Sequence, residues 1–155
     1  MDEQPNQTPV SSVTNTTIVK ADLTKRAIAA IIDSVLASIV SLIPVVGGIV
    51  GAAYILVKDG LDIDFMNKRS LGKVLMKLRP IRLDGQAMDL NTSMRRNWPL
   101  AIGSLIAIIP VVGWLLAVPV ALVIGIIELV LVLTDSEGRR MGDKLAGTKV
   151  IEINE

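Results

Sequence analysis

Trp98 to Thr134 reads WPLAIGSLIAIIPVVGWLLAVPVALVIGIIELVLVLT, and its one charged residue is Glu128. A helix needs roughly 20 predominantly apolar residues to cross a bilayer core, and this stretch far exceeds that length. A soluble amphipathic helix would bring polar side chains to one face about every 3.6 residues. Leu, Ile, Val, Ala and Gly fill the stretch instead. Ala27 to Val57 has the same character, with Asp33 as its one charged residue. The chain is 51% hydrophobic over 155 residues, and those residues collect in these two blocks. That distribution places the chain in the membrane class.

Each block contains the same helix breakers, Ile43-Pro44-Val45-Val46-Gly47-Gly48 in the first and Ile109-Pro110-Val111-Val112-Gly113-Trp114 in the second. Proline removes a helical hydrogen bond and the glycine beyond it permits a reversal. Each block is therefore expected to fold as a helical hairpin, with one long kinked helix as the alternative for the first. The four segments run over 22–43, 46–61, 97–109 and 113–134, the third extending backward if Thr92 to Arg96 joins it. The apolar part of the second, Val46 to Val57, spans only ~18 Å of a ~30 Å core.

A second repetition follows the hairpins. Arg69, Leu71-Gly72-Lys73-Val74-Leu75 matches Arg140, Met141-Gly142-Asp143-Lys144-Leu145 once Ser70 is skipped, and Arg79 to Leu83 faces Lys149 to Ile153. The expected fold is an all-α membrane protein of two helical hairpins, about four transmembrane helices, in a tandem pseudo-repeat with short cytosolic strand-like segments. Residues 1–20 form a polar, disordered tail. The domain over 21–155 divides into hairpin 22–61, basic cytosolic loop 62–96, hairpin 97–134 and cytosolic C-terminal segment 135–155. Asp84-Gly85 predicts a tight hairpin turn between two short strands, and Val150 to Ile153 is a candidate partner for that sheet.

The formal net charge is +1, yet all 16 basic residues lie outside the apolar blocks, at Lys20 to Arg26, Lys58 to Arg96 and Arg139 to Lys149. This is a topology signal and not a nucleic-acid surface. It puts both termini and the central loop in the cytoplasm of a multi-pass protein of a bacterial inner or plasma membrane. The partners that follow are the lipid bilayer, including anionic headgroups on the basic face, and a second copy of the chain if a path must be enclosed.

With no cysteine and no histidine, thiolate and imidazole metal sites and thiol chemistry are absent. No nucleophile and base pair or glycine-rich phosphate loop is visible. No enzyme, cofactor or metal is expected. An acid inside an apolar span is costly unless it meets a partner or water, so Asp33 and Glu128 are the candidates for an intramembrane proton or cation site. The plainer reading makes each a buried structural acid that fixes helix packing. Arg26 lies two turns before Asp33 on the same face, ~10 Å along the axis, so the nearer partner of Asp33 is expected on another helix.

Lys25-Arg26 with Ile31-Ile32-Asp33, the central Ser70-Leu71-Gly72-Lys73 and the terminal Gly142-Asp143-Lys144-Leu145-Ala146-Gly147-Thr148-Lys149-Val150 together resemble the RDD family of membrane proteins. The resemblance runs from about Ala21 to Ile153, and the terminal run is its most specific part. The family is named for an arginine and two aspartates, and the matching positions are Arg26, Asp33 and Asp143, with Asp135 the rival for the last. The central segment departs from the family pattern, carrying Met76 and Lys77 where a Leu-Gly pair is common. The resemblance implies a role in transport of ions or other ligands, the activity proposed for the family.

Transport is therefore the first functional reading, and a scaffold is its alternative. In one, Asp33, balanced by Arg26 and aided by Glu128, takes a proton or cation in a transport cycle. In the other, a non-catalytic scaffold or accessory subunit uses these acids for packing and its basic cytosolic face for a partner or anionic lipid.

Overall fold

The computed structural model describes residues 21–41, 43 and 46–153. Along them run α1 (Leu23–Ser41), α2 (Val46–Val57), α3 (Leu71–Leu75), β1 (Leu78–Arg82), α4 (Leu90–Ile106), α5 (Val112–Thr134), α6 (Met141–Leu145) and β2 (Thr148–Glu152). The polar tail over residues 1–20, and Pro44 and Val45 of the first reversal, lie outside the described residues.

The four long helices pack in sequence order, α1 on α2, α2 on α4 and α4 on α5. Lys58, one residue past α2, returns to Asp33 in the middle of α1. The first block is thus a helical hairpin and not one long helix. The third segment does extend backward, because Asp89 caps α4 by accepting from the Thr92 N–H at 2.6 Å. That bond satisfies one of the donors a helix start leaves open.

Side chains are sorted by size in the reverse of a soluble core. The buried positions of α2 are Gly47, Gly48, Gly51 and Ala52, and those of α5 are Gly113, Ala117 and Glu128. Large aliphatic residues point outward, among them Leu115 at 77% exposure, Ile31 at 62% and Leu122 at 62%. Among the described helices α5 alone is long and apolar enough by itself to cross a bilayer, with a mean hydropathy of 2.9 and 11% of that window buried. The other three fall short for separate reasons. α1 carries Lys25, Arg26 and Asp33, α2 has 12 residues, and α4 opens with a polar stretch from Asn91 to Asn97.

The second reversal falls at Val111 and not at Gly113. Val111 has φ 63, and the Val112 N–H donates to the Pro110 carbonyl at 2.8 Å, a tight three-residue turn. Gly113 serves a different need, since a Cβ there would lie 2.1 Å from the Ile106 carbonyl oxygen.

The segments after each hairpin have the same form, a five-residue helix and then a five-residue strand. Leu71 opens one helix and Met141 the other, and Leu78 and Thr148 open the strands at that same spacing. Lys77 (φ 54) and Gly147 (φ 61) take the left-handed turn between helix and strand, so the missing glycine in the first segment does not remove the turn. β1 pairs antiparallel with β2, Leu78 opposite Glu152 and Arg82 opposite Thr148. The hairpin expected at Asp84-Gly85 does not form. Gly85 makes a turn at φ 76, but Arg82 then bridges Asp84 and Asp89 at 2.5 and 2.8 Å, which draws the chain into the start of α4. Leu78 and Val150 bury against Ala21 and Ala29, seating the sheet on the beginning of α1.

Candidate functional site

The charged residues converge where the two short helices meet the long ones. Both approaches depend on glycine. Gly72 of α3 lies against the Ala29 carbonyl of α1, and Gly142 of α6 lies against the Arg96 carbonyl of α4. Backbone contact at these points brings the first N–H groups of each short helix within reach of an acid in a long one.

Asp33 and Glu128 are those acids. Asp33 Oδ1 accepts the Gly72 N–H at 2.9 Å, and its Oδ2 takes the Lys58 ammonium at 3.0 Å. Glu128 Oε2 accepts the Met141 N–H at 2.6 Å. Each acid thus satisfies a donor that a short helix would leave open. The expected balance between Asp33 and Arg26 is not what forms. Asp33 is paired with Lys58, and Arg26 reaches Asp143 at 3.2 Å and the Gly138 carbonyl.

Asp143 is fully buried and stands among three guanidiniums. Arg96 Nε lies 2.8 Å from its Oδ1, Arg26 Nη2 3.2 Å from its Oδ2, and Arg140 Nε 3.7 Å from its Oδ1. Asp135, the rival, faces Lys144 at 2.9 Å and Arg139 instead. Burial by itself would raise the Asp143 carboxyl, but Arg96, Arg140 and Arg26 outweigh it and hold the group below the ordinary carboxylate range. A carboxyl held lower in the folded chain than in the unfolded one contributes stability that is complete above its unfolded value and lost as pH falls through its folded value. The melting temperature in detergent is therefore expected to fall as pH drops below about 4, the unfolded aspartate value. A melting temperature unchanged between pH 7 and about pH 2 would contradict the arrangement.

Asp59 forms a second centre that the sequence reading passed over. It is fully buried, 2.7 Å from Lys73 and 3.7 Å from Arg96, and it accepts from Asn97 Nδ2 at 3.2 Å. Ser93 receives the Asp59 N–H at 3.2 Å and donates to the Leu56 carbonyl at 2.7 Å. Burial pushes the Lys73 ammonium down to about 8 against the pull of Asp59, with Lys58 and Arg96 adding to the push. The signal was present in two places: the Lys58-Asp59 pair that ends the short second span, and Ser93 with Asn97 one turn apart on α4. Arg96 stands between the two centres and joins them.

Arg26, Lys58, Lys73, Arg96 and Arg140 line a cavity of ≈ 280 Å³ together with Asp33 and Glu128. It continues between α1, α4 and α5 into a larger one of ≈ 530 Å³, which shares Asp33, Ser34, Lys58, Leu100 and Gly125 with it. Among the described residues no three carboxylates converge as a metal ion would require.

No curated protein and no solved structure matches the chain. The model of the RDD family matches residues 45–147. That stretch includes Asp59, Lys73, Arg96, Glu128 and Asp143, while Arg26 and Asp33 precede it. The match covers well over half of the sequence, and the chain belongs to the RDD family.

Proposed function

We propose that the chain is a non-catalytic, multi-pass membrane module, a scaffold or accessory subunit whose basic cytosolic face engages a partner or anionic lipid. Its four long helices form a tandem pair of hairpins in a cell membrane, with both termini cytoplasmic. The reversed sorting of side chains supports the membrane placement, because helices in lipid pack through small residues and leave large aliphatic ones to the acyl chains. The basic residues gather at one end of the helices, which the positive-inside rule assigns to the cytoplasm.

The observation that carries the scaffold reading is the commitment of Asp33, whose two oxygens are both engaged. Asp33 divides its oxygens between Lys58 and the Gly72 N–H, and Glu128 holds the Met141 N–H. A cation carrier would need a carboxylate free to exchange its partner, in a cavity that attracts cations. Here five basic side chains line that cavity.

One observation favours transport of a small ligand: Asp33 and Glu128 line the same cavity, and it continues past Ser34 and Ser104. A carrier of this size would oligomerise to close its path. Reconstitution in liposomes loaded with a pH-sensitive dye, under imposed Na⁺ or K⁺ gradients, separates the two. The expected result is no cation-dependent proton movement, with Asp33→Asn lowering thermal stability. Cation-dependent movement abolished by Asp33→Asn, in a sample as stable as the parent, would replace the scaffold with a transporter.

A further inference from the structure

The charge balance of the cavity is the starting point. Its five basic side chains face two carboxylates in the lining, Asp33 and Glu128, with Asp59 and Asp143 behind them. Five cations against four acids leave one positive charge without a counterion in a buried setting, where an uncompensated charge is costly.

Hydrogen bonding is incomplete at the same place. Arg96 Nη1, Arg140 Nε and Glu128 Oε1 are buried and make no hydrogen bond. Arg96 Nη1 and Arg140 Nε each stand 3.7 Å from the nearest carboxylate. Native structures leave few such atoms unsatisfied, and an unseen ligand is one explanation of a cluster of them. Two open donors and an open acceptor call for a ligand with anionic oxygens and a hydroxyl.

The walls narrow the class further. Between the charges the lining is apolar, with Ala27 and Ala30 on α1 and Leu129 and Val132 on α5. The deeper cavity runs on between the same helices toward Ala117 and Val118. α1 packs on α2 and α5 on α4, which leaves α1 and α5 as the two sides of the cleft. A charged end that opens into an apolar groove between spanning helices matches an amphiphile lying with its head at the cytoplasmic boundary. Basic pockets between helices at that level bind anionic headgroups, and ≈ 280 Å³ is below the usual range for a whole drug-sized ligand, as a headgroup site would be.

We infer that this cleft holds one anionic glycerophospholipid, its phosphodiester among Arg26, Arg96 and Arg140, a headgroup hydroxyl on Glu128 and an acyl chain in the groove between α1 and α5. The inference rests on the membrane placement proposed above and deepens it by naming the lipid and its site. The ligand acts there as a structural counterion that completes the cluster.

Gly125 permits a test that leaves the charges in place. It lines both cavities, and a Cβ added to it meets nothing within 4 Å, so the side chain of Gly125→Leu starts from open space and occupies the cleft. Thermal melting and intact-complex mass spectrometry in detergent would be run with phosphatidylglycerol, phosphatidylcholine and water-soluble glycerol phosphate. Phosphatidylglycerol is expected to bind one per chain and raise the melting temperature saturably, with phosphatidylcholine and glycerol phosphate giving no comparable shift. Gly125→Leu should abolish that shift while melting normally without lipid, and Arg140→Gln should weaken binding about fivefold, as removal of one basic contact predicts.

Equal shifts with phosphatidylcholine, or an unchanged shift in Gly125→Leu, would overturn the site in favour of nonspecific lipid around the helices. A shift of the same size from glycerol phosphate alone would assign it to a soluble phosphoester instead. Cation flux in the liposome assay would remove the scaffold reading without altering these binding results, so the two can fail separately.

Discussion

Asp143→Asn is expected to cost about 3–5 kcal/mol of stability, the range for removing one member of a buried ion pair. The amide keeps the shape but not the charge, and Arg26, Arg96 and Arg140 would then lose the one carboxylate they share. Asp143 also closes the N-terminal turn of α6 by accepting the Arg140 N–H at 3.3 Å, and an asparagine oxygen can still do that. Most of the loss is therefore electrostatic. Chemical denaturation in detergent micelles would measure it, with Arg140→Gln as the second arm of a double-mutant cycle. Removing one guanidinium should return part of the lost stability, giving a favourable coupling. A cost below about 1 kcal/mol, the value typical of an exposed pair, would mean that the three arginines do not depend on this carboxylate.

Gly142→Ala should be comparably damaging through sterics alone. The added Cβ would lie 1.8 Å from the Arg96 carbonyl oxygen, and that neighbour is backbone, which cannot rotate aside. The short helix would have to lift off α4, and forced overpacking typically costs about 1–3 kcal/mol, occasionally more. Gly72→Ala repeats the experiment in the other half, its Cβ falling 2.1 Å from the Ala29 carbonyl oxygen. The two differ in what they uncover: Gly142→Ala separates Met141 from Glu128, and Gly72→Ala separates its own N–H from Asp33. Gly125→Ala is the control, with open space around its Cβ, and should be neutral or stabilising because alanine favours a helix by up to about 1 kcal/mol over glycine. Melting temperatures of the three variants, measured side by side, check the prediction. If Gly142→Ala and Gly72→Ala were as stable as Gly125→Ala, close backbone approach would not be what these two glycines serve.

The sequence by itself determined what depends on composition and local chemistry. Two charge-poor blocks with matching breakers require helices that turn back, and basic residues excluded from both blocks define one charged end. The repeated Gly72 and Gly142 motif, followed by alternating residues, announced a turn and a strand-like run after each block, where the structure has a five-residue helix and a strand, and Asp33 and Glu128 stood out because a charge in an apolar run needs a partner. The identity of each partner was decided by the tertiary structure. Lys58 pairs with Asp33, and Arg26 with Asp143, because reach along a helix is limited to about a turn while the return of α2 brings a distant lysine close. Asp59 looked like an ordinary residue at the end of a span, and only the packing of α2 on α4 buries it beside Lys73 and Asn97. The Asp84-Gly85 turn had the local chemistry of a hairpin, yet Arg82 and the Asp89 cap drew the chain into α4 and left β1 to pair across the molecule with β2. Local pattern fixes which elements form, whereas burial and ion pairing between residues far apart in the chain are settled only when those elements pack.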